Sequence, residues 1–310
     1  MTTAGRTAKV IVNPAAGGGR TRSEWPKTIV ALREAGLEPD YVLTKQPGEA
    51  SDLAAAAAQD GYDVVVAVGG DGTAHEVANG LLRADDPPPL GLVQTGTGRD
   101  LSRLLSLPKD YEGQARIVAT ATPLRIDVGR CRYAAAAGGT EERAFLLLGG
   151  AGYSARVVER SLRLKRWFGG LAYLVAAVQE LATVRATPAR LVLDGAAESL
   201  PIVELLVLNA PWIGGGMFAG PGGDAQDGWL ETLILPDLPR WRLLNALLRI
   251  YRGSHIEQRG VRYGTTKRIR IEPEMTMPVA VDGESVGQTP AEFWIEPGAL
   301  AVLANEVRKG

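Results

Sequence analysis

A single cysteine, Cys131, stands among the 310 residues, so no internal disulfide is available. A lone thiol suits a reducing compartment and reads as a small core hydrophobe rather than a nucleophile. No stretch approaches the ~18 apolar residues that a spanning helix requires. The longest candidate, 171–178, is far too short, so membrane contact is expected to be peripheral. The first eight residues are polar and lack the apolar centre of a signal peptide, which points to a cytoplasmic protein. Net charge is nearly absent too, at -1, which excludes a polyelectrolyte class. There is no internal repeat and no G-x-x-x-x-G-K-[ST] loop, so the chain is not a P-loop kinase. What is present is an ordinary globular balance, 45% apolar and 22% charged, in a length that suits about two domains.

Strand and helix signals alternate through the first ~125 residues. Strands are expected at 9–13, 41–44, 63–68 and 90–94, with helices at 23–35, 49–59 and 76–83. The run Val64, Val65, Val66, Ala67, Val68 is continuous rather than alternating, as in a strand covered on both faces. This order implies βαβ units and a parallel sheet. After residue 127 strand-like runs dominate (144–148, 191–193, 203–208, 230–235, 268–271, 277–281, 293–295), broken by helical stretches near 155–183 and 240–251. The expected organisation is an α/β domain over 1–126 and a β-rich, mostly antiparallel domain over 127–310.

Three glycine-rich turns follow predicted strands in the first domain. They are Asn13-Pro14-Ala15-Ala16-Gly17-Gly18-Gly19-Arg20, Gly69-Gly70-Asp71-Gly72-Thr73 and Gly96-Thr97-Gly98-Arg99-Asp100. Glycine lets backbone approach a ligand, and successive N–H groups at a helix start attract anions. In an open α/β sheet such loops gather at the carboxyl ends of the strands, so three together imply a polyphosphate site. A carboxylate, Asp71, among phosphates is repulsive unless it serves a Mg²⁺ or accepts a proton, which makes a purely structural role the lesser expectation. A fourth glycine cluster, Gly150-Ala151-Gly152-Tyr153-Ser154-Ala155, nearly matches a dinucleotide fingerprint, but it lies outside any βαβ unit and reads as a packing turn.

The run from Val66 to Gly80, with its GGDGT core, resembles the signature of the diacylglycerol kinase catalytic family, which includes bacterial lipid kinases and sphingosine and ceramide kinases. The core alone also occurs in NAD kinases. Further matches favour the lipid kinases: Val12-Asn13-Pro14, the stretch from Thr44 to Ala50, Gly96-Thr97-x-x-Asp100, Gly214-Gly215-Gly216 followed by Pro221 and Asp227-Gly228, and Val281-Asp282-Gly283-Glu284. They run in order from about residue 9 to 303. The resemblance implies an NAD-kinase-like, doubly wound first domain, a β-rich antiparallel sandwich as the second, and an active site in the cleft, with final strands that in some members return to the first domain. Family members are often homodimers. This sequence departs from the pattern at Gln94, where the family usually has Pro, at Arg99, usually Asn, and at His75, commonly Asn and expected here as a helix-start residue.

By this resemblance the chain is an ATP-dependent kinase acting on a hydroxyl of diacylglycerol or a related lipid. Asn13, Gly70, Gly72, Thr73 and Thr97 would cradle phosphates, with Thr44 and Glu76 beside the nucleotide. Asp71 would act through Mg²⁺, directly or via water, helped by Asp100. Glu284 is the expected base and Asp282 its rival; the local sequence by itself reads as an Asp-Gly turn. A structural Mg²⁺ is implied at Asp227 with the main-chain carbonyls of Asp224 and Trp229, where the local reading is an Asp-Gly hairpin turn.

Charge is uneven: residues 240–270 carry a net +8 and residues 156–190 a net +5, both with Trp and Leu among the cations. Such segments suit an anionic membrane surface, though an ordinary amphipathic helix gives the same pattern. No nucleic-acid module is present. The competing functions are an NAD-type metabolite kinase and a non-catalytic lipid- or nucleotide-binding regulator.

Overall fold

A strand as apolar as Val64–Gly69 needs cover on both faces, and helices provide it. The computed structural model describes residues 6–96, 98–168 and 172–310. The chain divides into two units, one of Met1–Val128 with Pro297–Lys309, the other of Gly129–Glu296 with Gly310.

The first unit runs β1 (Arg6–Val12), α1 (Arg20–Glu34), β2 (Leu37–Leu43), α2 (Glu49–Gln59), β3 (Val64–Gly69), α3 (Asp71–Leu81), β4 (Leu90–Gln94), α4 (Asp100–Leu104) and α5 (Tyr111–Thr120), then enters β5 (Pro123–Ala134). The strands are parallel in the order β4-β3-β1-β2, and every residue of β3 is buried. From β1 the chain goes to β2 on one side and later to β3 on the other. The crevice between the carboxyl ends of β1 and β3 is therefore the topological switch point, where open α/β sheets bind ligands. Late in the chain Val302 pairs in parallel with Leu90 on β4, and Leu303 joins the core of this unit.

Several sequence expectations shift here: β1 and α1 each begin three residues early, and α4 and α5 lie where no helix is expected. Helix α3 begins at Asp71 rather than near 76, because the glycine motif is itself the first turn of the helix; His75 thus lies buried inside α3. Strand β2 begins at Leu37, four residues early, where Glu38, Pro39 and Asp40 on an exposed edge mask the apolar signal.

The second unit continues with β6 (Thr140–Phe145), β7 (Leu148–Gly152), α6 (Tyr153–Phe168), α7 (Ala172–Thr183), β8 (Thr187–Leu193), β9 (Ala196–Leu208), β10 (Trp212–Ile213), β11 (Met217–Phe218), β12 (Leu230–Pro236), α8 (Arg240–Arg249), β13 (Arg262–Thr266), β14 (Arg268–Pro273), β15 (Pro278–Val281) and β16 (Glu284–Leu303). Its strand pairs are antiparallel. The ladder β9-β7-β15-β16-β14-β8 returns to β9 and closes, because the long strands β9 and β16 each pair with one set of neighbours early and another late. Strands that change sheets in this way make the corners of a sandwich and leave few open edges. Phe145 and Phe293 meet edge-on inside it, with ring centroids 6.3 Å apart. Cys131 is fully buried there, and burial pushes its thiol up, so it is the core hydrophobe expected. The strand expected at 144–148 is instead the junction of β6 and β7, and the single helical stretch at 155–183 is two helices.

The near-fingerprint glycines are packing residues. A Cβ at Gly150 would lie 2.7 Å from the Leu205 carbonyl, and one at Gly152 would lie 2.4 Å from the Val203 carbonyl. Beside them Glu204 is buried on β9, accepting from the Ser154 N–H and hydroxyl at 2.6 Å each. Loss of solvation pushes its carboxyl up from 4.5 to about 8.

Helix propensity favours Ala over Gly by about 1 kcal/mol, yet at Gly80 in α3 a Cβ would sit 2.1 Å from the Ser51 carbonyl of α2. Gly80→Ala is expected to destabilise the protein by about 1–3 kcal/mol, read as a lower Tm; an unchanged or higher Tm would refute this packing. The raised carboxyl of Glu204 makes a second expectation. Its contribution is fully present below the unfolded value and fades as pH rises through about 8. Wild-type Tm should therefore decline over that interval relative to Glu204→Gln, by an equivalent of a few kcal/mol. Parallel Tm–pH curves would show that the group does not titrate so.

Candidate active site

At the switch point the Asn13 side chain joins β1 to α3. Its Nδ2 donates to Thr73 Oγ1 at 3.1 Å, while its Oδ1 accepts from the Ala15 N–H at 3.0 Å and shapes the turn after β1. Helix α3 starts at Gly70 with no side-chain cap, so its first N–H groups are left for a ligand. Thr73 is buried against Gly69, Glu76 is half-buried one turn on, and Thr44 is buried at the end of β2 with its N–H on the Val12 carbonyl at 2.8 Å.

The second and third loops touch backbone to backbone. A Cβ on Gly96 would lie 2.7 Å from Gly70 Cα, so glycine is required for that approach. The first and third loops are tied by residues the sequence reading did not single out. The Arg20 guanidinium donates to the Thr95 carbonyl and, at 3.2 Å, to the Gly96 carbonyl, and Thr21 and Thr95 share a hydroxyl–hydroxyl bond of 2.5 Å. An arginine after a glycine run is the one signal that could have drawn attention to them. All three loops thus form one assembly, except at Thr97, which lies outside the described residues.

Asp71 has more structural work than expected. Its Oδ1 accepts from Gln94 Nε2 at 2.7 Å and from the Leu101 N–H at 3.2 Å, and its Oδ2 accepts from the Asp100 N–H at 3.3 Å. A carboxylate offers about four lone-pair sites, so one remains for a cation or its water. Gln94 is fully employed: its N–H donates to Gln114 Oε1 at 2.7 Å and its Oε1 accepts from the Ser102 hydroxyl. A proline there could make none of these bonds. Arg99 holds φ +57°, a left-handed position that Asn tolerates better than most residues. Asp100 is buried and its Oδ1 lies 2.6 Å from Arg103, so this carboxylate is partnered by a cation of its own helix.

In the second unit, Asp282 (φ +45°) and Gly283 (φ +82°) form the two-residue turn between β15 and β16, with Val281 opposite Glu284. The two acids have different surroundings. Asp282 accepts from the N–H groups of Leu146, Leu147 and Leu148 at 2.7, 2.9 and 2.9 Å. Glu284 is partly exposed, and its Oε2 meets only the Arg143 guanidinium among the described residues, at 3.0 Å. Arg143 carried no sequence signal, since only the folded chain brings β6 beside the β15–β16 turn.

The Asp227 turn is not the hairpin tip expected. It is the entrance to β12: Asp227 Oδ1 accepts from the Trp229 N–H at 2.8 Å, and Asp224 Oδ1 accepts from the Gln226 N–H at 3.1 Å. Gly214, Gly215 and Gly216 all have positive φ, which a chain of L side chains would resist. Among the described residues no cluster of three or more His, Cys, Asp or Glu side chains is present.

Residues 7–131 match the diacylglycerol kinase catalytic domain, and residues 149–304 match the YegS C-terminal NAD kinase beta sandwich-like domain. The chain belongs to the diacylglycerol kinase catalytic family. It is a kinase. Relatives named diacylglycerol kinase include one from Staphylococcus carnosus, 28% identical, with 93% of this chain and 92% of that protein covered. Another, from Bacillus subtilis, is 28% identical with 93% of each chain covered. Among solved structures, a diacylglycerol kinase from Bacillus anthracis is similar in fold at TM-score 0.73, 22% identity and 98% coverage of both chains. Yeast NADH kinase is similar at TM-score 0.57 and 14% identity, over 98% of this chain and 85% of that one. The family's NAD-kinase-like architecture is therefore that of this chain.

Three charge-assisted bonds to backbone predict that Asp282→Ala costs about 3 kcal/mol or more, while Glu284→Gln, losing one half-exposed ion pair, costs about 1 kcal/mol or less. Thermal melting of both variants checks this; equal losses would erase the distinction between the two acids.

Proposed function

We propose that the protein transfers the γ-phosphate of ATP to a hydroxyl of diacylglycerol or a closely related lipid. The observation that carries this reading is the joined set of loops at the β1/β3 switch point, in a chain of the diacylglycerol kinase family. There Asn13, Gly70, Gly72, Thr73 and Thr97 would cradle the phosphates, with Thr44 and Glu76 flanking the nucleotide and Arg20 holding the third loop in place. Phosphoryl transfer asks a protein mainly for position, charge neutralisation and a proton acceptor.

Glu284 is the acceptor in this reading. Its carboxylate takes the proton from the lipid hydroxyl as that oxygen bonds to the γ-phosphorus; the bond from phosphorus to the β–γ bridging oxygen breaks, and ADP leaves. Asp282 is the weaker candidate, because its carboxylate is engaged by three backbone donors. Asp71, with a remaining lone pair, and Asp100 are the residues that would hold a Mg²⁺ accompanying the nucleotide, directly or via water, and that cation would supply charge neutralisation. Asp227, with the carbonyls of Asp224 and Trp229, offers a second, structural position for that cation. The lipid acceptor sets the place of reaction, the cytoplasmic face of a membrane, reached by peripheral contact; among the described residues no helix is long and apolar enough to cross one.

The test is label transfer from γ-labelled ATP with Mg²⁺ to diacylglycerol, phosphatidylglycerol, ceramide, sphingosine and NAD. Diacylglycerol is expected to be labelled, and Glu284→Gln to lower kcat by about 10²–10⁴-fold with little change in Tm. Label in NAD alone, or full activity in the variant, would overturn the reading or the assignment of the base.

A further inference from the structure

Helix α8 is apolar on two opposite faces, and only one of them is covered. At about 3.6 residues per turn, Leu243, Ala246 and Ile250 share a face, and all three are buried. Trp241, Leu244, Leu248 and Tyr251 share the opposite face, continued into the turn Ile250–Arg252, and they are exposed: Trp241 by 63%, Leu248 by 71% and Tyr251 by 63%. Helix α7 packs beside α8.

The cations flanking this stripe lack counter-charges. Residues 240–252 contain Arg240, Arg242, Arg249 and Arg252 and no acid. Among the described residues none of these four has a carboxylate within ion-pair distance, and Arg242 instead stacks its guanidinium on Trp241 at 5.1 Å. Arginines on the strands of the same unit are treated differently: Arg130, Arg143, Arg190 and Arg262 each pair with a glutamate. An ordinary solvated face would carry polar residues where α8 carries Trp, Leu and Tyr. A face with an apolar stripe and unpaired arginines at its margins matches an anionic bilayer. The rings and Leu side chains enter the interfacial layer, and the guanidiniums reach the phosphates. A second copy of the chain fits less well, since a two-fold contact would set the same unpaired arginines against each other.

We propose that the Trp241–Leu244–Leu248–Tyr251 face of α8, with its arginines, is the surface by which the protein docks on anionic phospholipid membranes. The choice of a membrane as occupant rests on the lipid-kinase reading; the face itself does not.

The test is co-sedimentation with vesicles of phosphatidylcholine alone and of phosphatidylcholine mixed with phosphatidylglycerol. Wild type is compared with Trp241→Ser/Leu248→Ser and with Arg242→Gln/Arg249→Gln. Melting curves and light-scattering mass are recorded for each, and phosphorylation of a short-chain, water-soluble diacylglycerol is measured in parallel. Wild type should bind the anionic vesicles and not the neutral ones. Both variants should bind at least tenfold more weakly, with Tm, mass and short-chain activity unchanged. Variants that bind like wild type would overturn the proposal. So would a fall in mass with vesicle binding intact, which would make the face a contact between copies. Failure of the lipid-kinase reading is separately visible: no lipid is labelled by wild type, while the vesicle result stands or falls independently.

Discussion

The carboxylate of Asp71 holds the first unit's ligand-facing end in shape. It sits on the first residue of α3 and gathers a side-chain amide from β4 and two backbone N–H groups from α4. Without it, three donors would need other partners, and the loop after β4 would lose its register on the loop after β3. The close approach of Gly70 and Gly96 depends on the same register. So does the path of Arg20 to the carbonyls of Thr95 and Gly96. A group that would repel phosphate in isolation is thereby turned mainly toward protein, and the N–H groups at the start of α3 face the crevice beside it.

The second unit separates two carboxylates by only one residue and gives them opposite surroundings. In the Asp282-Gly283 turn both residues have positive φ, so the Asp282 side chain folds back onto the amides that lead into β7, and Glu284 begins the next strand. One acid fixes the turn; the other keeps a single charged partner and partial exposure. Burial treats Glu204 differently again: among the described residues no cation lies at hydrogen-bond distance, and loss of solvation raises its pKa. The same chemistry of charge seeking a partner distinguishes the strand arginines, which are paired, from those of α8, which have no carboxylate partner among the described residues.

Much of the first unit was legible. Continuous valine in β3 announced a strand covered on both sides, and the Ala-rich stretch of α2 was placed to the residue. The glycine motif misled only about where α3 begins, because helix propensity counts against glycine while an anion-facing helix start prefers it. The second unit was less legible. Strands β5 and β16 were missed or seen only in part, since their polar positions alternate irregularly as they pass from one set of neighbours to another. Arg143 could not be connected with Glu284, nor Gln94 with Asp71, because those pairs are made by tertiary packing and not by spacing along the chain.

The sequence by itself determined the alternation of strands and helices as far as β4, the three loops and the family, because periodicity, glycine and short motifs are local properties. Only the tertiary structure decided what each acid does. Asp71, Asp100, Asp282 and Glu284 are all plain carboxylates in the sequence, but the surroundings of each follow from the donors that reach it, and those donors come from residues up to 141 positions away in the chain.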